Sequence, residues 1–311
     1  MDELEGFEVV NRTPRIGKYS LTQEEVEAYS GYDRVIVADM SLPEPIILRL
    51  AEEAEVSIFD HHIQPLIPSV AHHNPISRGS TSEEYPSASW VVNEFYGNDV
   101  NLYSLLGVVG DREYRIKDNS RFWNIITEYC DDNGLMFDDL LNMCHLLDTN
   151  SKIGDKEAVE EAPRQILDHG GPEYILGNPD WSGNLVMLVE EVEKHLQRPF
   201  EEVEGVVVKS IDTDYNIIST ITRKISWEMG REVVVVNTGF FDDEDQVYAR
   251  SRHLDMGLLI ERGKSLGFEA GGKGDVLGST VPKEMTEDYV LEIISYLSSG
   301  SSQEEEFLDS F

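Results

Sequence analysis

The chain has 311 residues, of which 40% are hydrophobic, so it is long enough for two domains with real cores and is not a disordered protein. Its 60 acidic and 25 basic side chains leave a formal net charge of −35, a field that repels nucleic acid at low ionic strength. No apolar stretch is long enough to span a membrane, no secretory signal is visible and there are only two cysteines, so we expect a cytoplasmic protein without membrane contact.

The acidic residues are spread along the whole chain rather than gathered in one segment. A surface of this kind suits a cytoplasm with molar salt, where the Debye length falls to about 3 Å. We therefore expect a halophilic source, with an acidic mesophilic protein as the alternative.

The first half of the sequence predicts alternating strands and helices. Thr22 and Glu25 have the spacing of a capping box before a short helix. The apolar run 34–38 predicts a strand that ends at Asp39, a helix follows over about 45–54, and the run 56–59 predicts a second strand that ends at Asp60. Strand, helix and strand in this order form a βαβ unit with parallel strands, and such sheets bind ligands at their carboxyl ends.

Helical spacing of apolar residues dominates the next part of the chain. Helices are predicted over 87–95, 120–129, 137–147, 156–167 and, after a break rich in Gly and Pro over 170–179, over 185–196. From residue 203 strands and helices alternate again, with strands over 206–210, 232–236 and 246–250, helices over 217–229, 256–266 and 287–297, and a glycine-rich segment over 271–278. We expect an α/β fold: a parallel-sheet domain over 1–180, a connecting helix over 181–202, a second, smaller α/β domain over 203–298 and an acidic tail over 299–311.

The most informative local feature is the tripeptide Asp60-His61-His62, which directly follows a predicted buried strand. Asp39 ends the neighbouring strand, and Asp111 follows the apolar run 105–109 and a glycine, a placement that repeats those of Asp39 and Asp60. Carboxylate and imidazole ligands together suit manganese or another divalent ion. The alternative is that Asp60 caps a turn and that both histidines are surface residues.

These motifs, in this order, resemble those of the DHH phosphoesterase superfamily, which includes RecJ single-strand exonucleases, oligoribonucleases and exopolyphosphatases. Asn74-Pro75 and the segment 87–92 resemble the part of the family between its third and fourth motifs. The resemblance implies two divalent ions, usually Mn²⁺ with Mg²⁺ as the alternative. It gives Asp39 the role of bridging carboxylate and makes His61 and Asp111 further ligands. Asp60 would orient His61, and His62 would contact the scissile phosphate or assist the leaving group.

The second domain resembles the domain that accompanies DHH domains in this superfamily. The resemblance implies substrate-binding residues on a strand end and on a glycine-rich loop: Arg250, Ser251, Arg252, Gly271, Gly272 and Lys273. Glycine lets backbone N–H groups approach a phosphate closely, although an ordinary turn with ion-paired arginines is the alternative. The family's loop normally ends in histidine, and Lys273 can contact a phosphate as a point charge but cannot replace an imidazole.

One family motif is missing, because no Asp-x-Asp pair that follows a strand precedes Asp39. Either the natural chain starts upstream of Met1 or part of one metal site is absent. The sequence therefore predicts a manganese-dependent phosphodiesterase that acts on single-stranded nucleic acid or short oligonucleotides. The alternatives are a non-catalytic protein that binds nucleic acid or replication and repair proteins, and a hydrolase of a small phosphoanhydride or cyclic dinucleotide.

Overall fold

The computed structural model describes Gly6 and residues 8–299, so the predicted acidic tail lies outside the described residues apart from Ser299. The described residues form two compact units. The first unit comprises 6, 8–16, 20–151 and 155–185, and the second comprises 17–19, 152–154 and 186–299. The domain limits that the sequence predicts at 180 and 203 stay predictions.

The first unit is built on a parallel sheet with the strand order β1 (Arg34–Ala38), β2 (Glu55–Phe59) and β3 (Ala71–His73). Helix α1 (Gln23–Tyr29) begins at the predicted capping box, in which the Thr22 side chain accepts from the Glu25 N–H. Helix α2 (Glu44–Leu50) ends earlier than expected and connects β1 to β2. These elements enclose a core of Val, Ile and Leu side chains, which confirms the predicted βαβ unit.

The rest of the first unit is helical. Its helices are α3 (Ala88–Phe95), α4 (Leu102–Arg112), α5 (Ser120–Asn133), α6 (Phe137–Lys152), α7 (Lys156–His169) and α8 (Gly171–Gly177). They share a second core, in which Trp90 and Phe122 pack edge to face. The segment 170–179, expected to be a break, contains α8, because Pro172 stands in the first turn, where its missing N–H breaks no helical hydrogen bond.

The second unit contains a mixed sheet with the strand order β4-β5-β6-β7-β9-β8. The chain enters it within α9 (Pro179–Gln197) and continues through β4 (Glu201–Val203), β5 (Val206–Ile211), α10 (Ile218–Met229), β6 (Val233–Asn237), β7 (Glu244–Arg250), α11 (Gly257–Ser265), β8 (Glu269–Lys273), β9 (Val276–Pro282) and α12 (Thr286–Ser299). Strands β5 and β6 are parallel and the other pairs antiparallel. Apolar cores cover both faces of the sheet, and the predicted α/β fold is confirmed.

A short N-terminal segment, residues 17–19, belongs to the second unit. Lys18 forms ion pairs with Glu244 and Glu269, and the Tyr19 hydroxyl is hydrogen-bonded to that of Tyr248. The Tyr19 N–H also donates to Glu269 at 3.0 Å. The segment is therefore held on the sheet by partners that lie more than two hundred residues later in the chain.

Among the described residues, no helix combines the length and the apolar composition needed to cross a membrane.

Candidate metal centre

The two aspartates that the sequence places at strand ends continue the hydrogen bonding of the sheet. The Asp39 N–H donates to Phe59 O at 2.9 Å, and the Asp60 N–H donates to His73 O at 3.1 Å. Asp39 then turns away with a left-handed φ of 57°, a conformation that Asp tolerates better than most residues. Both carboxylates therefore leave the same edge of the sheet, and Asp39 does so with backbone strain of the kind that accumulates at functional sites.

His61 lies between the carboxylates of Asp39 and Asp111. Its Nε2 is 3.3 Å from Asp39 Oδ1 and 3.6 Å from Asp111 Oδ2, and the residue is only 5% exposed. Neither ring nitrogen has a hydrogen-bond partner among the described residues. A buried imidazole without hydrogen-bond partners lowers the stability of the fold. A cation bound between it and the two carboxylates would accept a ring nitrogen as a ligand and neutralise the negative charges. The donor set therefore fits a divalent metal ion.

His62 brings a further potential ligand atom close to Asp39 and His61. Those of Asp39, His61 and His62 all lie within 4.8 Å of one another. Two imidazoles and a carboxylate within this span are a donor set that manganese and similar divalent ions accept.

Asp111 reaches the cluster from a helix, which corrects the expectation that it repeats the strand-end placement of Asp39 and Asp60. It stands in the last turn of α4 (Leu102–Arg112). Its side chain is 21% exposed. The apolar run before it is buried, as expected, but its residues lie at helical spacing in α4.

The contacts of Asp60 also differ from expectation. Its carboxylate does not hold the His61 ring; Oδ1 instead lies 2.7 Å from His62 Nδ1, and Oδ2 accepts from the Gln64 amide. Burial would raise the pKa of Asp60, but the hydrogen bond and the charge of His62 outweigh it and hold that pKa below its ordinary value. Asp60 is therefore an ionised, buried carboxylate that fixes the orientation of His62.

The loop after the tripeptide is fixed by side-chain amides. Asn74 Nδ2 donates to His62 O at 2.8 Å, and Asn74 Oδ1 accepts from the Ser77 N–H at 3.2 Å. Gln64 holds Asp60, a role that sequence reasoning missed; an amide four residues after a buried acid was the available signal. His72 and His73 lie in β3, and His72 is buried.

The predicted substrate-binding arginines lie at the end of β7 in the second unit. Arg250 pairs with Asp275 at 3.1 Å, and its guanidinium carbon is 5.7 Å from the centre of the Trp227 ring. Ser251 is buried, and its hydroxyl accepts from the N–H groups of His253 and Leu254, so its described contacts are those of a turn. Arg252 is exposed.

The glycine-rich segment forms the β8–β9 hairpin rather than an open loop. Gly271 pairs with Gly278, Gly272 with Leu277 and the exposed Lys273 with Val276. A Cβ on Gly272 would lie 1.9 Å from Val276 O, whereas one on Gly271 would meet no atom within 4 Å. The hairpin itself therefore requires Gly272, while nothing within the fold requires Gly271.

No protein-family model matches the sequence, and no curated protein matches it either. Solved structures do. A DHH domain described as a member of a family of ribosomal proteins superposes with a TM-score of 0.66 at 16% identity, over 91% of this chain and 76% of that one. RecJ from Thermus thermophilus in complex with Mn²⁺ superposes with a TM-score of 0.59 at 15% identity, over 90% of this chain and 47% of that one.

A further exonuclease RecJ, bound to manganese, gives a TM-score of 0.56 at 16% identity, over 93% of this chain and 82% of that one. At these identities the similarity concerns the fold. The protein therefore has the DHH fold of RecJ type that its ordered motifs predict.

Proposed function

We propose that the protein is a metal-dependent phosphodiesterase that hydrolyses single-stranded nucleic acid or short oligonucleotides. The observation that carries the proposal is the buried His61 ring between Asp39 and Asp111. Support comes from the fold, which is shared with RecJ structures that hold manganese. The preferred ion is Mn²⁺, with Mg²⁺ as the alternative.

The ligands would be Asp39, His61 and Asp111, which offer two carboxylates and an imidazole. When bound, a divalent ion polarises a phosphoryl oxygen and lowers the pKa of a bound water. The strained turn at Asp39 and the burial of His61 hold these ligands in place without the substrate. Such preorganisation lowers the reorganisation that the reaction itself requires.

His62 would act on the substrate. Because Nδ1 faces Asp60, Nε2 is the ring nitrogen that can contact a phosphate oxygen or donate a proton to the leaving oxygen. The ionised Asp60 stabilises the imidazolium form of His62 and fixes its orientation.

The second unit would bind the phosphate backbone through Arg250, Arg252 and Lys273. These cations lie at the neighbouring ends of β7 and of the β8–β9 hairpin, in a chain of net charge −35. Positive charge kept at one place on so acidic a chain favours an anionic ligand.

The test is hydrolysis of end-labelled single-stranded DNA and RNA with Mn²⁺ in high potassium chloride. We expect activity in the unaltered chain and its loss in Asp111→Asn, while Asp118→Asn, which changes an exposed acid of the same unit, keeps it. Calorimetric titration should show that Asp111→Asn also weakens Mn²⁺ binding. Equal activity of the two variants would overturn the proposal.

A second candidate is a non-catalytic protein that binds nucleic acid or replication and repair proteins. It is favoured by one observation: among the described residues, the group whose ligand atoms all lie within 4.8 Å of one another is Asp39, His61 and His62, so Asp111 is outside it and it contains one carboxylate. Retention of single-stranded nucleic acid without hydrolysis, by a folded protein that binds Mn²⁺, would support this candidate over the first.

A further inference from the structure

The first unit contains a cavity of about 350 Å³ beside the end of β3, on a surface that neither the metal ligands nor the predicted substrate residues form. Its lining includes His73, Asn74, Arg78, Tyr85, Glu94 and Phe95. The volume is that of a small-molecule site, and the lining mixes aromatic rings with a few polar groups, as such sites do.

The aromatic wall of the cavity is a cluster of rings, of which the outermost is accessible. The Phe59 and His73 rings are stacked with centroids 4.8 Å apart, and the Phe95 ring is tilted by 52° against His73 with centroids 4.2 Å apart. Phe59 is buried, whereas Phe95 is 50% exposed. Burial, aided by Arg78, lowers the pKa of His73, so its ring is neutral at pH 7 and packs as an aromatic surface. A flat ring entering the cavity therefore meets aromatic surface.

The polar groups of the cavity can read the edge of such a ring. Arg78 is held by a 3.0 Å hydrogen bond to His72 O, and Glu94 Oε1 accepts from Trp90 Nε1 at 2.9 Å and from Arg121 at 3.2 Å. The lining therefore includes a guanidinium donor and a carboxylate acceptor, which together suit the edge of one heterocycle. A bare phosphate ester would leave the aromatic surface unused, whereas a nucleobase uses both parts.

The cavity is adjacent to the candidate metal centre through the sheet. β3 is the neighbour of β2, the Asp60 N–H donates to His73 O, and Asn74, which lines the cavity, also donates to His62 O. Asn74 therefore links the lining of the cavity directly to the backbone of the His61-His62 turn.

We propose that this cavity binds the nucleobase of the nucleotide whose phosphate lies at the metal centre, with Phe95 as the stacking surface. The inference rests on the proposed phosphodiesterase function. It makes Phe95 a substrate-positioning residue and requires that the preferred substrate carry a base at this nucleotide.

The test compares short single-stranded substrates that carry either a base or an abasic sugar at the terminal nucleotide. Stacking of a base on an aromatic side chain strengthens binding about tenfold or more. Phe95→Ala should therefore lower kcat/KM for the base-bearing substrate about tenfold, through a higher KM, and should leave kcat/KM for the abasic substrate unchanged. Phe95→Trp should restore the preference. Tyr103→Ala, which removes an exposed aromatic side chain on α4 of the same unit, is the matched control.

A binding measurement without metal provides a second readout. A terminal 2-aminopurine should lose fluorescence on binding to the unaltered protein and to Tyr103→Ala, but not to Phe95→Ala. If both substrates are cut equally well by the unaltered protein and by Phe95→Ala, the inference is wrong and the proposed function stands. If neither substrate is cut or bound by the unaltered protein, both are wrong.

Discussion

The adjacent residues His61 and His62 have different carboxylate neighbours, and we therefore expect them to have different chemical roles. His61 is surrounded by carboxylates that need a counter-charge, whereas His62 is paired with one buried carboxylate of its own. Neighbouring residues after a strand leave in different directions, so one turn can supply both a metal ligand and a group for proton transfer.

Replacing Asp60 tests this separation. Asp60→Asn keeps the shape of the side chain but removes the charge that stabilises the imidazolium of His62. We expect kcat to fall by about 10² or more, because general acid–base catalysis contributes on that scale. Mn²⁺ affinity, measured by calorimetric titration, should stay close to that of the unaltered protein.

The control is His61→Ala, which removes a proposed ligand and should weaken Mn²⁺ binding by at least about tenfold. If Asp60→Asn weakens binding as much as His61→Ala does, Asp60 acts through the metal site, as the family resemblance implied, and not through His62.

Among the elements, the β8–β9 hairpin contains one glycine that the fold requires, Gly272, and one that only a ligand would require, Gly271. Gly272→Ala would place a methyl group against Val276 O, so we expect the free energy of unfolding to fall by about 1–3 kcal/mol or more. Gly271→Ala meets no neighbouring atom and should leave stability within about 0.5 kcal/mol. Urea denaturation measures both.

If Gly271 approaches a phosphate backbone, Gly271→Ala should raise KM for an oligonucleotide even though the protein is as stable as before. An unchanged KM would remove Gly271 from the binding residues and leave the hairpin as a purely structural feature.

The elements of the site differ in how well the sequence predicts them. The strands that end at Asp39 and Asp60 were predictable, because β-branched runs bounded by acids leave little alternative. Strand β3 has three residues and includes two histidines, so no periodicity could reveal it. The pairing of Asp60 with His62 depends on side-chain orientation at a turn, which motif order does not contain.

Helix α9 carries a buried histidine that should make stability depend on pH. Burial lowers the pKa of His195, although the hydrogen bond that its ring donates to the partly buried Glu191 carboxylate opposes this shift, and the ring is fully buried. Because the folded pKa lies below the unfolded one, the unfolded chain binds the proton better. The contribution of the neutral His195 ring to the free energy of unfolding should therefore be fully present above about pH 6.5. It should decrease as the pH drops from there toward the folded pKa.

Urea denaturation at a series of pH values, with His195→Gln for comparison, checks this expectation. The variant should lose about 1–3 kcal/mol of stability at pH 7 and show a shallower fall on acidification. Burial also lowers the pKa of His72, so this residue contributes to the pH dependence of stability in both proteins. The same slope with and without His195 would contradict the assignment.

At the scale of the whole molecule, the net charge of −35 sets the response to salt. Repulsion among the acids opposes the compact state, and raising the ionic strength from 0.1 M to 1 M shortens the Debye length from about 10 Å to about 3 Å. We expect Tm to rise by about 5 °C or more over this range of potassium chloride. Sucrose at matched osmolality serves as the uncharged control, and an equal rise with sucrose would show that charge screening is not the cause.

The segment 17–19 has a consequence for synthesis. Its partner Tyr248 follows Tyr19 by 229 residues, and at about 5–20 residues per second the ribosome needs on the order of 10–50 s to make that interval. Over this time the nascent chain presents Lys18 and Tyr19 before Glu244, Tyr248 or Glu269 exists. The assembly of the second unit is therefore a late event that joins residues 17–19 to strands that are made more than two hundred residues later.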